Sequence, residues 1–262
     1  AYSGLYGSSD PAILHCMTPA NVTVSSGSLL IKAKKAYTPC GTKTRNYSTG
    51  MIASREAGRF YPLYGRYEFR ARTPHGQGLW PGLWLRHRYG ADSAEVDVNE
   101  TFHAAAPGTT MQTLHFPNSI GAMTAKKATK YETAVPGRGG WHTFSIDILP
   151  VTPGDNSKVK FRFAVDGVTT LTYTNYYASS WTNVDKMAAW DIAMDIYVGG
   201  KWIGHPDKQL GYLPTVRTGI CAQTYAAPPY GNPANCPKKG IWLAPWNDSI
   251  YQIDYVRVYV PA

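Results

Sequence analysis

An all-β fold, with antiparallel sheets arranged as a sandwich or barrel, is what this sequence predicts, and three observations predict it. Short stretches in which apolar and polar residues alternate recur along the chain. The 25 Gly and 19 Pro are spread throughout, so turns punctuate the chain at short intervals and no linker stands out. Stretches with helical periodicity are scarce. A sandwich or barrel fills 262 residues by itself, so residues 1–262 read as one domain, and no internal repeat argues otherwise.

The strands follow in order. Residues 21–24 (Asn-Val-Thr-Val), a Ser-Gly turn and residues 28–33 (Ser-Leu-Leu-Ile-Lys-Ala) read as a hairpin. Residues 64–72 alternate strictly, with Tyr67, Phe69 and Ala71 on one face and Arg66, Glu68, Arg70 and Arg72 on the other. Residues 141–149 form another strand. Residues 159–165 run into Asp166-Gly167, a dipeptide suited to a tight hairpin turn, and then into a strand over 168–173. Residues 250–260 close the series, and the Pro-rich segment from Cys221 to Cys236 reads as a long loop.

An apolar content of 44% against 16% charged residues supplies a full core and excludes a disordered chain. No apolar run approaches the roughly 20 residues of a membrane helix, so no membrane partner is expected. The first residues, Ala-Tyr-Ser-Gly, carry neither a basic stretch nor an apolar signal core, so any export signal is already gone. The 26 Lys and Arg against 17 Asp and Glu give a charge of +9, but the basic residues are scattered in pairs at most. With no basic helix or zinc-finger spacing beside them, they argue against a nucleic-acid partner. The 19 Tyr and 8 Trp are the informative excess, because flat apolar faces with a polar handle suit sugar rings.

Cysteines stand at 16, 40, 221 and 236, and none forms a C-x-x-C pair. An even count, widely spaced, suggests two disulfides and a secreted protein. Three pairings satisfy the count. Cys16–Cys40 with Cys221–Cys236 is preferred, since each bridge then ties down one irregular segment; four free thiols in a cytosolic chain are the alternative.

The decisive stretch is Glu95-Val-Asp97-Val-Asn-Glu100. Val96 and Val98 alternate with Glu95 and Asp97, which places both carboxylates on one face of a strand. Glu100 breaks the parity, and one extra residue around Val98-Asn99, a β-bulge, brings all three acids onto that face. Glu95 and Glu100 are then about four steps, or ~13 Å of backbone, apart. Side chains leaning together close this toward the ~5–5.5 Å of a retaining glycosidase, in which one carboxylate attacks the sugar and the other serves as acid and then base. Asp97 between them raises a neighbour's pKa by like-charge repulsion. A solvent-facing strand without chemistry carries the same pattern. A calcium loop would call for Gly and Asn turns rather than interleaved valines.

Upstream, residues 75–88 include Trp80-Pro-Gly-Leu-Trp84 and Arg86-His87-Arg88. With this flank the sequence resembles glycoside hydrolase family 16, the laminarinase-like enzymes. The residues carrying the resemblance are 64–72, 76–84, Glu95 to Glu100, 113–116, 141–144, 165–167, 198–202 and 254–259, in the family's order and over most of the chain. The resemblance implies a β-jelly-roll sandwich of two curved antiparallel sheets with a concave substrate cleft. It implies Glu95 as nucleophile, Glu100 as acid/base and Asp97 as the assisting carboxylate. It further implies Trp80, Trp84 and Trp202 as sugar-stacking residues, with His115 near the cleaved bond. The extra residue in E-x-D-x-x-E matches the family's bulged branch.

Some features depart from the pattern. Asp195 stands where the family has Asn, which alters either the proton network or a sugar contact. In some members a structural calcium is held by an opening segment, absent here before Ala1, and by the Asp matching Asp254. Arg86-His87-Arg88 replaces neutral residues; on a groove rim it would favour an anionic or sulfated glycan, and the alternative is an exposed turn. The sequence therefore predicts a secreted, monomeric, retaining endo-glycosidase needing no cofactor for its chemistry, with a polysaccharide substrate, β-1,3-glucan first. The rivals are a galactan or anionic-polysaccharide hydrolase or transglycosylase on the same fold, and a non-catalytic glycan-binding protein.

Overall fold

The computed structural model describes residues 13–74, 78–87, 94–101, 109–116, 126–134, 140–175, 190–200, 206 and 248–260. Trp202, Cys221, Cys236 and Arg88 lie outside them.

Among the described residues the chain forms two sheets. The larger runs β1 (His15–Met17), β4 (Lys43–Thr49), β3 (Ser28–Cys40), β15 (Asp248–Tyr259), β6 (Gly65–Arg72), β11 (His142–Thr152), β12 (Asp155–Val165) and β13 (Val168–Asn175), with β2 (Val22–Ser25) on β3. The smaller runs β10 (Lys126–Ala134), β9 (Thr109–Phe116), β8 (Glu95–Glu100), β7 (Leu79–His87), β14 (Trp190–Val198) and β5 (Met51–Ala53). Pairing is antiparallel except that β1 runs parallel to β4. Among the described residues, helix is confined to short 3-10 turns at Pro19–Asn21 and Ser54–Ala57.

Two hairpins show why these segments fold locally. β2 and β3 join through Ser26 and Gly27 (φ 49° and 78°), and β12 and β13 through Asp166 and Gly167 (φ 50° and 79°). Both turns need two successive left-handed residues, which Gly supplies without strain and a short polar side chain tolerates.

The core lies between the sheets. Tyr67, Phe69 and Ala71 of β6 are fully buried and meet Phe144 and Ile146 of β11 and Phe161 and Phe163 of β12. The smaller sheet answers with Leu83 and Leu85 of β7, Val96 and Val98 of β8, and Ile192 and Ile196 of β14. Each such side chain contributes about 1.5–3 kcal/mol on burial. Alternation along β7, β8 and β14 then turns Trp84, Arg86, Glu95, Asp97, Asp191 and Asp195 to the opposite face. A second apolar cluster there, Met17, Met51, Ala53, Trp84 and Ala193, covers part of it.

Cys16 and Cys40 are bonded to each other, tying β1 to the end of β3. In β15, Asp254 is ion-paired with Arg70 of β6. The Arg70 guanidinium would have to move aside for a cation to take that carboxylate as a ligand.

Candidate active site

The site follows from strand register. In β8 the residue before Asn99 has no partner of its own: Leu83 of β7 pairs with Asn99 and Trp84 with Asp97, so Val98 is the extra residue of a bulge. Its carbonyl accepts from Gln112 Nε2 (3.0 Å). Asn99, fully buried, accepts from Thr101 (3.0 Å) and Thr110 and donates to Tyr251 Oη (3.3 Å), which satisfies the polar group the bulge turns inward. Glu95, Asp97 and Glu100 consequently pair with Arg86, Trp84 and Gly82, alternate residues of β7, and share its outer face.

Cross-strand rows complete the face. His115, Glu95, Arg86 and Asp191 form one row; Thr113, Asp97, Trp84 and Ala193 the next; Met111, Glu100, Gly82, Asp195 and Met51 the third. Trp80 pairs with Tyr197 beyond them.

The carboxyls are tightly networked. Trp80 Nε1–H donates to Glu100 Oε1 (2.9 Å) and the Thr113 hydroxyl to Glu100 Oε2 (3.4 Å). His115 Nε2 lies 2.9 Å from Asp97 Oδ2 and 3.8 Å from Glu95 Oε1. Trp84 Nε1–H donates to Asp195 Oδ2 (3.0 Å). Gly82 matters for this geometry: a Cβ there would stand 3.3 Å from both Asp195 Oδ1 and Trp84 Cδ1, so the missing side chain lets the indole lie beside the carboxyl.

Burial is the largest influence on the acids. It pushes Glu95 up to about 7, reinforced by Asp97 and opposed by His115 and Arg86. Glu100 is driven well above the ordinary range by burial and the charges of Asp97 and Glu95, against the pull of His115 and the Trp80 hydrogen bond. Asp195 is raised to about 7, by burial first and the Glu95 charge after it, opposed by the Trp84 hydrogen bond and Arg86. Both Glu95 and Glu100 are thus held above the ordinary carboxylate range.

Glu95, Asp97 and His115 bring one ligand-type atom each within 4.8 Å of one another. An ion seated among them would displace the close His115–Asp97 contact, so the group is better described as a closely packed acid–imidazole set.

Two expectations change in detail. Arg86 is neither an exposed turn nor a rim cation: it is 8% exposed, and its Nε and Nη2 each lie 2.6 Å from Asp191 Oδ2. Arg55 reaches the same oxygen at 2.9 Å, while Ser54 Oγ (3.1 Å) and the Arg55 backbone N–H (2.8 Å) donate to the other. Trp84 is also 8% exposed, with the Arg86 guanidinium 5.2 Å from its ring centre, which makes it a buried wall rather than an open platform. Trp80 is half-buried. Sequence reasoning missed Asp191, Arg55, Asn99, Gln112 and Tyr251. Asn99, placed inside the acidic motif, offered the one local signal.

Two antiparallel sheets packed face to face, with three carboxyls in line on one strand, place the chain among the β-jelly-roll sandwich proteins. The family model for glycosyl hydrolases family 16 matches residues 12–212, and the chain belongs to that family. Among curated relatives, glucan endo-1,3-beta-glucosidase A1 of Niallia circulans is 34% identical over 131 residues, covering 44% of this chain and 19% of that protein. The beta-glucanase of Rhodothermus marinus is 27% identical over 197 residues, covering 70% of this chain and 63% of that one. This chain spans between 19% and 63% of the length of the curated relatives it matches. The laminarinase catalytic domain of Thermotoga maritima superposes with a TM-score of 0.64 at 22% identity, over 95% of this chain and 84% of that one, which shows a shared fold.

Proposed function

We propose that this chain is a secreted, endo-acting, retaining hydrolase of β-glucans, with β-1,3-linked glucan as its substrate. The observation that carries the reading is the bulged strand β8, which aligns Glu95, Asp97 and Glu100 on one face, where burial and neighbouring carboxylates push Glu100 well above the ordinary range. Names of relatives support the substrate: the matched proteins of Niallia circulans and Rhodothermus marinus are a glucan endo-1,3-beta-glucosidase and a beta-glucanase.

In the first step an ionised Glu95 oxygen bonds to the anomeric carbon as the glycosidic C–O bond breaks, and Glu100 gives its proton to the departing oxygen. In the second, Glu100, now a carboxylate, removes a proton from water as the water oxygen attacks the same carbon and releases Glu95. Asp97 adds negative charge between the two acids and is held by His115. Trp80 supplies a half-buried indole for stacking on a sugar ring. The two steps balance with water as the only co-reactant.

The test is reducing-end release from laminarin, mixed-linkage glucan, agarose, carrageenan, galactan and xyloglucan, with Glu95→Gln as blank. Release from laminarin that the variant abolishes supports the reading. Release from a galactan or carrageenan alone replaces the substrate, and none from any polymer replaces hydrolysis with glycan binding.

A further inference from the structure

His15 is fully buried where the chain passes from one sheet to the other. Ile13 bridges Gly199 and Leu14 N–H donates to the Val198 carbonyl (2.9 Å), both at the end of the smaller sheet, while His15–Met17 pair with β4 of the larger. The next residue, Cys16, is bonded to Cys40.

His15 Nδ1 faces both backbone groups of Val198, the N–H at 2.9 Å and the carbonyl oxygen at 3.2 Å, so the ring is anchored at the end of the smaller sheet whichever nitrogen carries the hydrogen. Nε2 is buried without a hydrogen-bond partner. Burial lowers the imidazole to about 4, so it stays neutral over the working range and is no pH switch itself. Its edge meets the Tyr197 ring, with centroids 4.9 Å apart and planes at 76°. Tyr197 lies against Trp80, with centroids 5.6 Å apart and planes at 52°. Trp80 in turn donates to Glu100.

We propose that His15 is a positioning residue for Glu100, acting through Tyr197 and Trp80 and held in place by the Cys16–Cys40 bridge. The proposal rests on the reading of Glu100 as the acid/base. The Trp80 N–H favours the charged form of Glu100, as does His115, while Asp97 and Glu95 on the same strand oppose it. Thr113 donates from β9, and Asp195 of β14 lies in the same row beyond Gly82. Removing the imidazole gives Tyr197 and Trp80 room to tilt, takes the indole N–H off Glu100, and lets the carboxyl hold its proton to higher pH. The basic limb of activity, where the acid loses its proton, then moves upward.

The experiment is the pH profile of kcat/KM on laminarin for the wild type, His15→Asn, Trp80→Phe and the double variant. Asn keeps an acceptor for the Val198 N–H and removes the ring. We expect His15→Asn to shift the basic limb upward by roughly half a pH unit, and the double variant to shift no further than Trp80→Phe alone. A basic limb that stays in place while the melting temperature falls makes His15 merely structural and overturns the proposal, as do shifts that add fully. Should His15→Asn not fold, Tyr197→Leu is judged by the same criterion. Failure of the functional reading is separate: Glu100→Gln with wild-type turnover removes it whatever His15 does.

Discussion

Asp195 lies in the same cross-strand row as Glu100, separated from it only by Gly82. The glycine leaves the two carboxyls without an intervening side chain and gives the Trp84 indole access to Asp195. An ionisable group in this place, 3% exposed and lacking an ion-pair partner among those described, ties stability to pH.

The sign follows from the direction of the shift. Asp195 ordinarily titrates near 3.8 and is raised to about 7 in the fold, so the native state holds a proton that the unfolded chain has released between those values. The stability it contributes is complete below about pH 4 and is lost as pH rises through about 7. Asp195→Asn should flatten the fall in melting temperature between pH 4.5 and 8 and be more stable than wild type at pH 8, by an amount on the order of a few kcal/mol at most. Parallel melting curves for the two proteins across that range would falsify the shift.

In the double displacement proposed above, Glu95 has to be ionised to attack and Glu100 protonated to donate. With Glu95 raised to about 7 and Glu100 raised well above its ordinary range, kcat/KM should rise as Glu95 ionises, near pH 7, and fall where Glu100 loses its proton. Glu95→Gln and Glu100→Gln should each lose most of the turnover, roughly a hundredfold or more, while circular dichroism stays native. Wild-type turnover in either variant would contradict the role given to that residue.

Asp191 is fully buried between Arg55 and Arg86, and its second oxygen is taken by Ser54 and a backbone N–H. Removing the carboxylate leaves a largely buried guanidinium beside Trp84. Asp191→Ala should therefore cost about 3–5 kcal/mol, measurable by urea denaturation. A loss under 1 kcal/mol would mean that water or a neighbouring group compensates the arginines.

The Cys16–Cys40 bridge closes a loop with a sequence separation of 24 residues. By the chain-entropy estimate, replacing both cysteines with Ala should cost about 3–4 kcal/mol. A bridge between Cys221 and Cys236 would be worth about 3 kcal/mol by the same estimate. Melting with and without reductant, in the double variant Cys16→Ala/Cys40→Ala, separates the two, since any remaining sensitivity to reductant belongs to the second pair.

Local chemistry was legible from residue order. The alternation at Tyr67, Phe69 and Ala71, the Asp166-Gly167 turn, and the break in parity between Asp97 and Glu100 each depend on neighbours a few positions apart. A period of two and a left-handed turn are properties of short segments. The bulge at Val98 is the clearest case, since three acids cannot otherwise share one face.

What only the tertiary structure decided depends on strands far apart in the chain. Arg86 looked like a solvent cation because nothing near it in sequence neutralises it; its partner Asp191 stands 105 positions away and meets it through the pairing of β7 with β14. Asp195 joins the row of Glu100, and His15 reaches Trp80 through Tyr197, for the same reason. The sequence by itself determined about half of the strands, two of the hairpin turns and the line of carboxyls, because backbone sterics and side-chain alternation act locally. Register between distant strands determined which charges are paired, which indole meets which acid, and how strongly each carboxyl holds its proton, because burial and Coulomb energy depend on distance in space.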